Sequence, residues 1–198
     1  MSVNKMSRLF VFVLALTLVT GSAFAQTVVT QSGQTSVQLA SGFLSALNTL
    51  KVTPGVLNPT TISSKAVVTF PITGGAVDAK TAAGQITHAG GLTLTAGGTT
   101  VALRNFTIDT TGTTPILYGV ASVNGSVAGA LPLFEVQLPK VFPLPLKPLD
   151  GAFINLSGFG LALTDTAAST LNSVFGVTAF SGGFKVGTAT VQAFVVAN

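Results

Sequence analysis

A two-residue alternation of apolar and polar side chains, broken by paired glycines, constrains this chain more than any other feature. It is clearest between Phe70 and Asp109, in Leu92-Thr-Leu-Thr, Val101-Ala-Leu-Arg and Phe106-Thr-Ile-Asp. Successive side chains of an extended strand point to opposite faces, so this period gathers the apolar groups on one side. Many of the polar partners are threonines, whose branched Cβ suits a half-exposed pleated surface. Gly74-Gly75, Gly90-Gly91 and Gly97-Gly98 interrupt the runs. Glycine reaches positive φ without a Cβ clash, so each pair predicts a turn or a bulge. The stretch reads as an antiparallel meander with one dry face.

The N-terminus has a different character. Lys5 and Arg8 precede an apolar core from Leu9 to Val19, and Ala23-Phe24-Ala25 gives a small-x-small site before Gln26. That is the pattern of a secretory signal peptide, with a core too short to span a bilayer. Residues 1–25 are therefore set apart, with cleavage between Ala25 and Gln26. Residues 26–198 are expected to fold as a single domain, exported to the extracellular or periplasmic space. Without Lys5 and Arg8 the chain keeps seven basic and five acidic residues, a net charge of +2. Two scattered excess charges make no nucleic-acid patch. The chain has no cysteine, which excludes a disulfide framework, a thiolate metal site and a cysteine nucleophile. After the signal segment, no apolar run reaches transmembrane length.

Along the remaining chain, Gln26 to Leu39 reads as one or two strands. Phe43, Leu44, Leu47 and Leu50 then fall on one face of a short helix, with Ser41 as its cap. Pro54, Gly55 and Pro59 predict a loop, and Thr61 to Phe70 a strand. Ile116 to Val127 is split by Asn124-Gly125, a strong hairpin signal. Leu131 to Leu149 carries Pro132, Pro139, Pro143, Pro145 and Pro148, which predict that its later part is an edge or an extended connector. Phe153 to Leu163 is another strand, with Gly158 and Gly160 as candidate bulge positions. The segment from Leu163 to Gly176 is the best helix. Thr164 is its N-cap, Asp165 sits in its first turn, Ala168, Leu171, Val174 and Phe175 form its apolar face, and Gly176 is its left-handed stop. Phe184 to Val186 and Thr188 to Val196 end the chain as strands. The predicted fold is all-β, an antiparallel β-sandwich (immunoglobulin-like or related) or a kindred barrel, with two short helices.

Catalytic chemistry finds little support. The carboxylates are Asp78, Asp109, Glu135, Asp150 and Asp165. Asp165 suits a helix start, Asp78 and Asp150 lie in turn-like sequence, and Asp109 ends a strand. No spacing selects the facing pair that glycoside hydrolysis needs. His88 is the single histidine, and no serine stands in a Gly-x-Ser-x-Gly elbow. The chain is read as not an enzyme. One histidine without cysteine makes no structural zinc site, and no calcium-loop pattern is present. Two single residues remain as candidate ligand-binding groups. His88, just before Gly90-Gly91, is expected at a strand end with an exposed imidazole able to ligate or support a haem iron. Tyr118 offers a phenolate, a known ferric haem ligand. The plain alternative is that Tyr118 is a half-buried strand residue and His88 satisfies turn hydrogen bonds.

Four segments together carry a family likeness. They are Phe70-Pro-Ile-Thr-Gly-Gly-Ala-Val-Asp78, Gly84-Gln-Ile-Thr-His-Ala-Gly-Gly-Leu92, Leu163-Thr-Asp-Thr-Ala-Ala-Ser-Thr-Leu171 and Phe180-Ser-Gly-Gly-Phe184. The chain resembles the HtaA domain of bacterial surface and secreted haem-uptake proteins, from about Val37 to Val191. The resemblance implies a β-sandwich with a couple of short helices. It also implies haem held by a tyrosine near the domain start and supported by a histidine further on. His88 falls in the matching Gly-x-Ile-x-His-x-Gly-Gly region. The early helix, Phe43 to Leu50, has no tyrosine; Phe43 is its nearest aromatic, and Tyr118 stands elsewhere. The expectation is a secreted, non-enzymatic binding module for haem or another flat hydrophobic ligand. The alternative is a structural or adhesive envelope protein without a small ligand.

Overall fold

The structure, a computed structural model, describes residues 26–147 and 151–197, so residues 1–25, expected to be a signal peptide, and 148–150, Asp150 included, lie outside the described residues. In chain order the elements are β1 (Thr27–Leu39), α1 (Ser41–Thr49), β2 (Thr53–Leu57), β3 (Thr61–Ile62), β4 (Val67–Asp78), β5 (Gly84–Ala96), β6 (Thr99–Asp109), β7 (Ile116–Val123), β8 (Ser126–Gln137), β9 (Ala152–Leu163), α2 (Asp165–Phe175) and β10 (Lys185–Ala197). This is the all-β, antiparallel class with two short helices that the alternation predicts.

The ladder runs β2-β5-β6-β7-β8-β9-β10-β1-β4-β3, and β4 pairs with β5 as well. That additional pairing, from Ile72↔His88 to Val77↔Gly84, joins the two flanks of the sheet. Eight strands thereby form a ring, and the two layers of the sandwich are continuous at both sides. Closure leaves few free strand edges, the usual route to edge-to-edge aggregation.

The glycine pairs divide between the two roles open to them. Gly97-Gly98 makes the β5–β6 turn, with φ of 56° and 80°. Gly74-Gly75 and Gly90-Gly91 instead sit inside strands, where the register shifts between Ile72 and Gly74 and between His88 and Gly91. They are bulges that bend β4 and β5 where the ring closes. Asn124 and Gly125, at φ 49° and 84°, make the predicted hairpin between β7 and β8. Gly158, at φ 88°, is skipped in the β9–β10 register, again a bulge.

Three local expectations are corrected. Pro54 and Gly55 belong to β2, not to a loop; β2 pairs on one side only, so a proline without an N–H is tolerated there. The strand expected from Thr61 to Phe70 is broken at Ser63–Ala66, where Ala66 N donates to Ser63 O at 3.0 Å. Ala40 rather than Ser41 occupies the N-cap of α1, without a side-chain cap bond.

Both helices pack at one end of the ring. Phe43 of α1, Phe180 and Phe184 form a three-ring cluster there, with centroids 5.6–6.4 Å apart. Thr164 caps α2 as expected. Its Oγ1 accepts from Ala167 N at 3.0 Å and donates to the Pro132 carbonyl at 2.6 Å, and Gly176 ends the helix at φ 65°. Thr164 is buried, so Thr164→Ala leaves both partners dry. The expected loss is about 1–2 kcal/mol in a urea unfolding midpoint.

Candidate functional site

The ring encloses a cavity of about 340 Å³, at the small end of the roughly 300–1,000 Å³ of ligand pockets. Its wall is built from the inward positions of the alternation: Val37 on β1, Val68 and Phe70 on β4, Ile86 and Leu92 on β5, Phe106 and Ile108 on β6, Val136 on β8, Phe159 and Leu161 on β9, Val191 on β10. Phe70 and Phe106 meet edge to face at 5.3 Å between centroids. Among the described residues no charged side chain lines the cavity. At the end away from the helices its rim is formed by Thr81, Thr113 and the segment Leu138–Leu146.

Among the described residues His88 is the one titratable side chain in this lining. It does not stand exposed at a strand end. Because Gly90-Gly91 is a bulge, β5 runs on from Gly84 to Ala96, and His88 lies inside it on the inward phase with Ile86. Only 6% of its surface is accessible. Thr35, on β1 and one strand away beyond β4, lies 2.8 Å from its Nε2 through Oγ1. The other nitrogen, Nδ1, is buried without a hydrogen-bond partner. Loss of hydration lowers the imidazole pKa from 6.5 to about 4, with a weak opposing pull from the Ile86 backbone. His88 is therefore neutral at neutral pH, the form that binds metal centres.

Tyr118 is placed differently. Leu117 takes the inward position on β7 and lines the cavity, so Tyr118 faces outward and is 39% exposed. The two candidate residues stand on opposite sides of the wall and are not brought together. The side chain that His88 does meet, Thr35, is 53 residues away in sequence and carries no motif. Its one signal is a threonine two residues before Val37, on the apolar phase of β1.

Two of the carboxylates, Asp78 and Asp109, are engaged by nearby donors. Asp78 Oδ1 accepts from Lys80 N, Thr81 N and Thr81 Oγ1 at 2.8–2.9 Å. Asp109 accepts from Thr111 N, Thr111 Oγ1 and Gln85 Nε2 at 2.6–2.9 Å. These bonds hold both carboxyls below the usual range, with the threonine hydroxyls contributing most. Among the described residues no three of His, Asp and Glu are grouped to hold a metal ion.

The fold is a closed antiparallel barrel with an apolar interior and one buried histidine in its wall. No family model and no curated protein matches the chain. Solved structures do. The C-terminal domain of HtaA from Corynebacterium glutamicum superimposes with a TM-score of 0.63 at 14% identity, over 85% of this chain and 99% of that domain. The heme binding protein HtaB of the same organism gives 0.57 at 14% identity, over 87% and 98%. The N-terminal domain of HtaA gives 0.60 at 12% identity, over 83% and 97%. The chain has the fold of these domains, nearly end to end.

Proposed function

We propose that this chain is a secreted, non-enzymatic binding module that encloses a hydrophobic ligand, with haem as the ligand class. The observation that carries the reading is a neutral, buried histidine in the wall of an otherwise apolar cavity. The shared fold supports it, since one neighbour is named a heme binding protein. So does the signal-peptide pattern of residues 1–25.

The donor chemistry fits the group. A histidine that ligates a metal commonly commits its other ring nitrogen to an orienting partner. In His88, Nε2 is committed to Thr35 and Nδ1 has no partner. Nδ1 is covered by protein atoms, so the ring must shift before it meets an iron. When bound, haem supplies a Lewis-acidic iron and a flat apolar ring. The chain supplies the rest: Thr35 orients the imidazole, burial keeps it unprotonated, and the apolar wall takes the macrocycle and excludes water. No phenolate lines the cavity, so His88 is the only side chain there suited to be an axial ligand.

Titration of the processed protein with ferric haem is expected to give a Soret shift at micromolar concentration. His88→Ala removes that shift but keeps the fluorescence change of metal-free protoporphyrin, which needs only the apolar wall. Absence of both signals in the wild-type chain overturns the reading and leaves a structural envelope role ahead.

A further inference from the structure

We infer that the segment Leu138–Lys147 docks the rim of the barrel onto an anionic phospholipid surface. The segment leaves β8 and crosses the end of the ring opposite the helices. It is tied at the β4–β5 turn, where Leu146 N donates to Ala79 O at 2.7 Å. Its residues divide by face. Leu146 is buried against Val28, Ile72 and Val195, and Phe142 packs on Phe159 at 5.9 Å. On the other face Val141 is 85% exposed, Leu138 52% and Leu144 45%, with Pro143 and Pro145 exposed between them.

Single exposed apolar residues are ordinary on a soluble protein, but a contiguous run marks a contact surface. The inward anchors and the prolines prevent this run from turning its outer side chains into the core. Prolines also remove backbone N–H groups, which a hydrocarbon environment leaves unsatisfied at high cost.

Charge selects the partner. Lys140 and Lys147 lie within the segment, which contains no acidic residue, and Lys80 lies in the turn that anchors it. Asp78 and Asp109, at this end, accept hydrogen bonds from their own turns, and Glu135 lies on β8 three residues before the segment. Apolar groups flanked by ammonium groups on flexible stems match acyl chains beneath headgroup phosphates. Among the described residues no helix is long and apolar enough to cross a membrane. Leu138 and Leu144 also line the cavity. The docking face and the ligand space are thus continuous, and an apolar molecule dissolved in the bilayer reaches the cavity without crossing water. The inference stands on the surface alone and does not require haem as ligand.

Co-flotation of the processed, ligand-free protein with vesicles tests it. Vesicles with about one third phosphatidylglycerol in phosphatidylcholine are expected to carry the protein, and phosphatidylcholine alone far less. Val141→Asp with Leu144→Asp lowers the bound fraction at least tenfold, and Lys140→Glu with Lys147→Glu does so in the anionic vesicles only. Val127→Asp, a comparably exposed site on the β7–β8 hairpin, leaves binding unchanged. No flotation on anionic vesicles overturns the inference, as does flotation unaffected by the segment variants. A concentration-dependent dimer abolished by Val141→Asp in lipid-free light scattering also overturns it, because the face then belongs to a second copy.

Discussion

Gly75→Ala is expected to destabilise the protein by about 3 kcal/mol or more, combining left-handed backbone strain of about 1–3 kcal/mol with overpacking of similar size. Gly75 has φ 149° and sits where β4 is paired on both sides, to Thr30 of β1 and Ile86 of β5. A Cβ there runs into the Gln85 carbonyl oxygen and lies 2.8 Å from Ile86 Cα. Both obstacles are backbone of the neighbouring strand, so relief requires opening the seam that closes the ring. Gly97→Ala is the comparison. Its φ of 56° is also left-handed, but nothing lies within 4 Å of the added atom, so it costs only about 1 kcal/mol. Urea unfolding of both variants checks the difference. A Gly75→Ala midpoint equal to that of Gly97→Ala means the β4–β5 pairing is not closed in solution.

Acid is expected to weaken the fold through His88 before it reaches Asp78 or Asp109. The folded pKa is about 4 against 6.5 for the free side chain. Above pH 6.5 both states carry a neutral ring and nothing is lost. As pH falls from 6.5 towards 4 the unfolded chain takes up a proton that the folded chain refuses, so stability drops across that window. A gap of this size corresponds to about 3 kcal/mol at its acid end. That is a large share of the roughly 5–15 kcal/mol typical of a folded protein. Among the described residues no charged side chain lines the cavity to offset it. Asp78 and Asp109, with carboxyl pKa values lowered from 3.8, add their own losses only at lower pH. Denaturant midpoints at pH 7 and pH 4.5 are expected to differ strongly in the wild-type chain and much less in His88→Leu. Equal pH dependence in the two proteins shows that the ring is hydrated or already protonated.

The sequence by itself determined what neighbouring residues can decide among themselves. Period two in Leu92-Thr-Leu-Thr and Phe106-Thr-Ile-Asp produces strands with one inward face. Positive φ at Asn124-Gly125 produces a hairpin, and Thr164 and Gly176 bound α2. These outcomes depend on local sterics and hydrogen bonds within a few residues. The same local view cannot tell a turn from a bulge at Gly74-Gly75 or Gly90-Gly91, because both need the same backbone freedom. That ambiguity hid the most consequential features: the bulges let β4 reach β5, close the ring and turn His88 from a presumed surface residue into the wall of a dry cavity. The partnership of His88 with Thr35, the outward turn of Tyr118 and the inward anchoring of Leu146 rest on pairings across tens of residues. Only the tertiary structure decided them, because strand register and closure depend on which distant apolar faces pack together, and no contiguous stretch of sequence contains that choice.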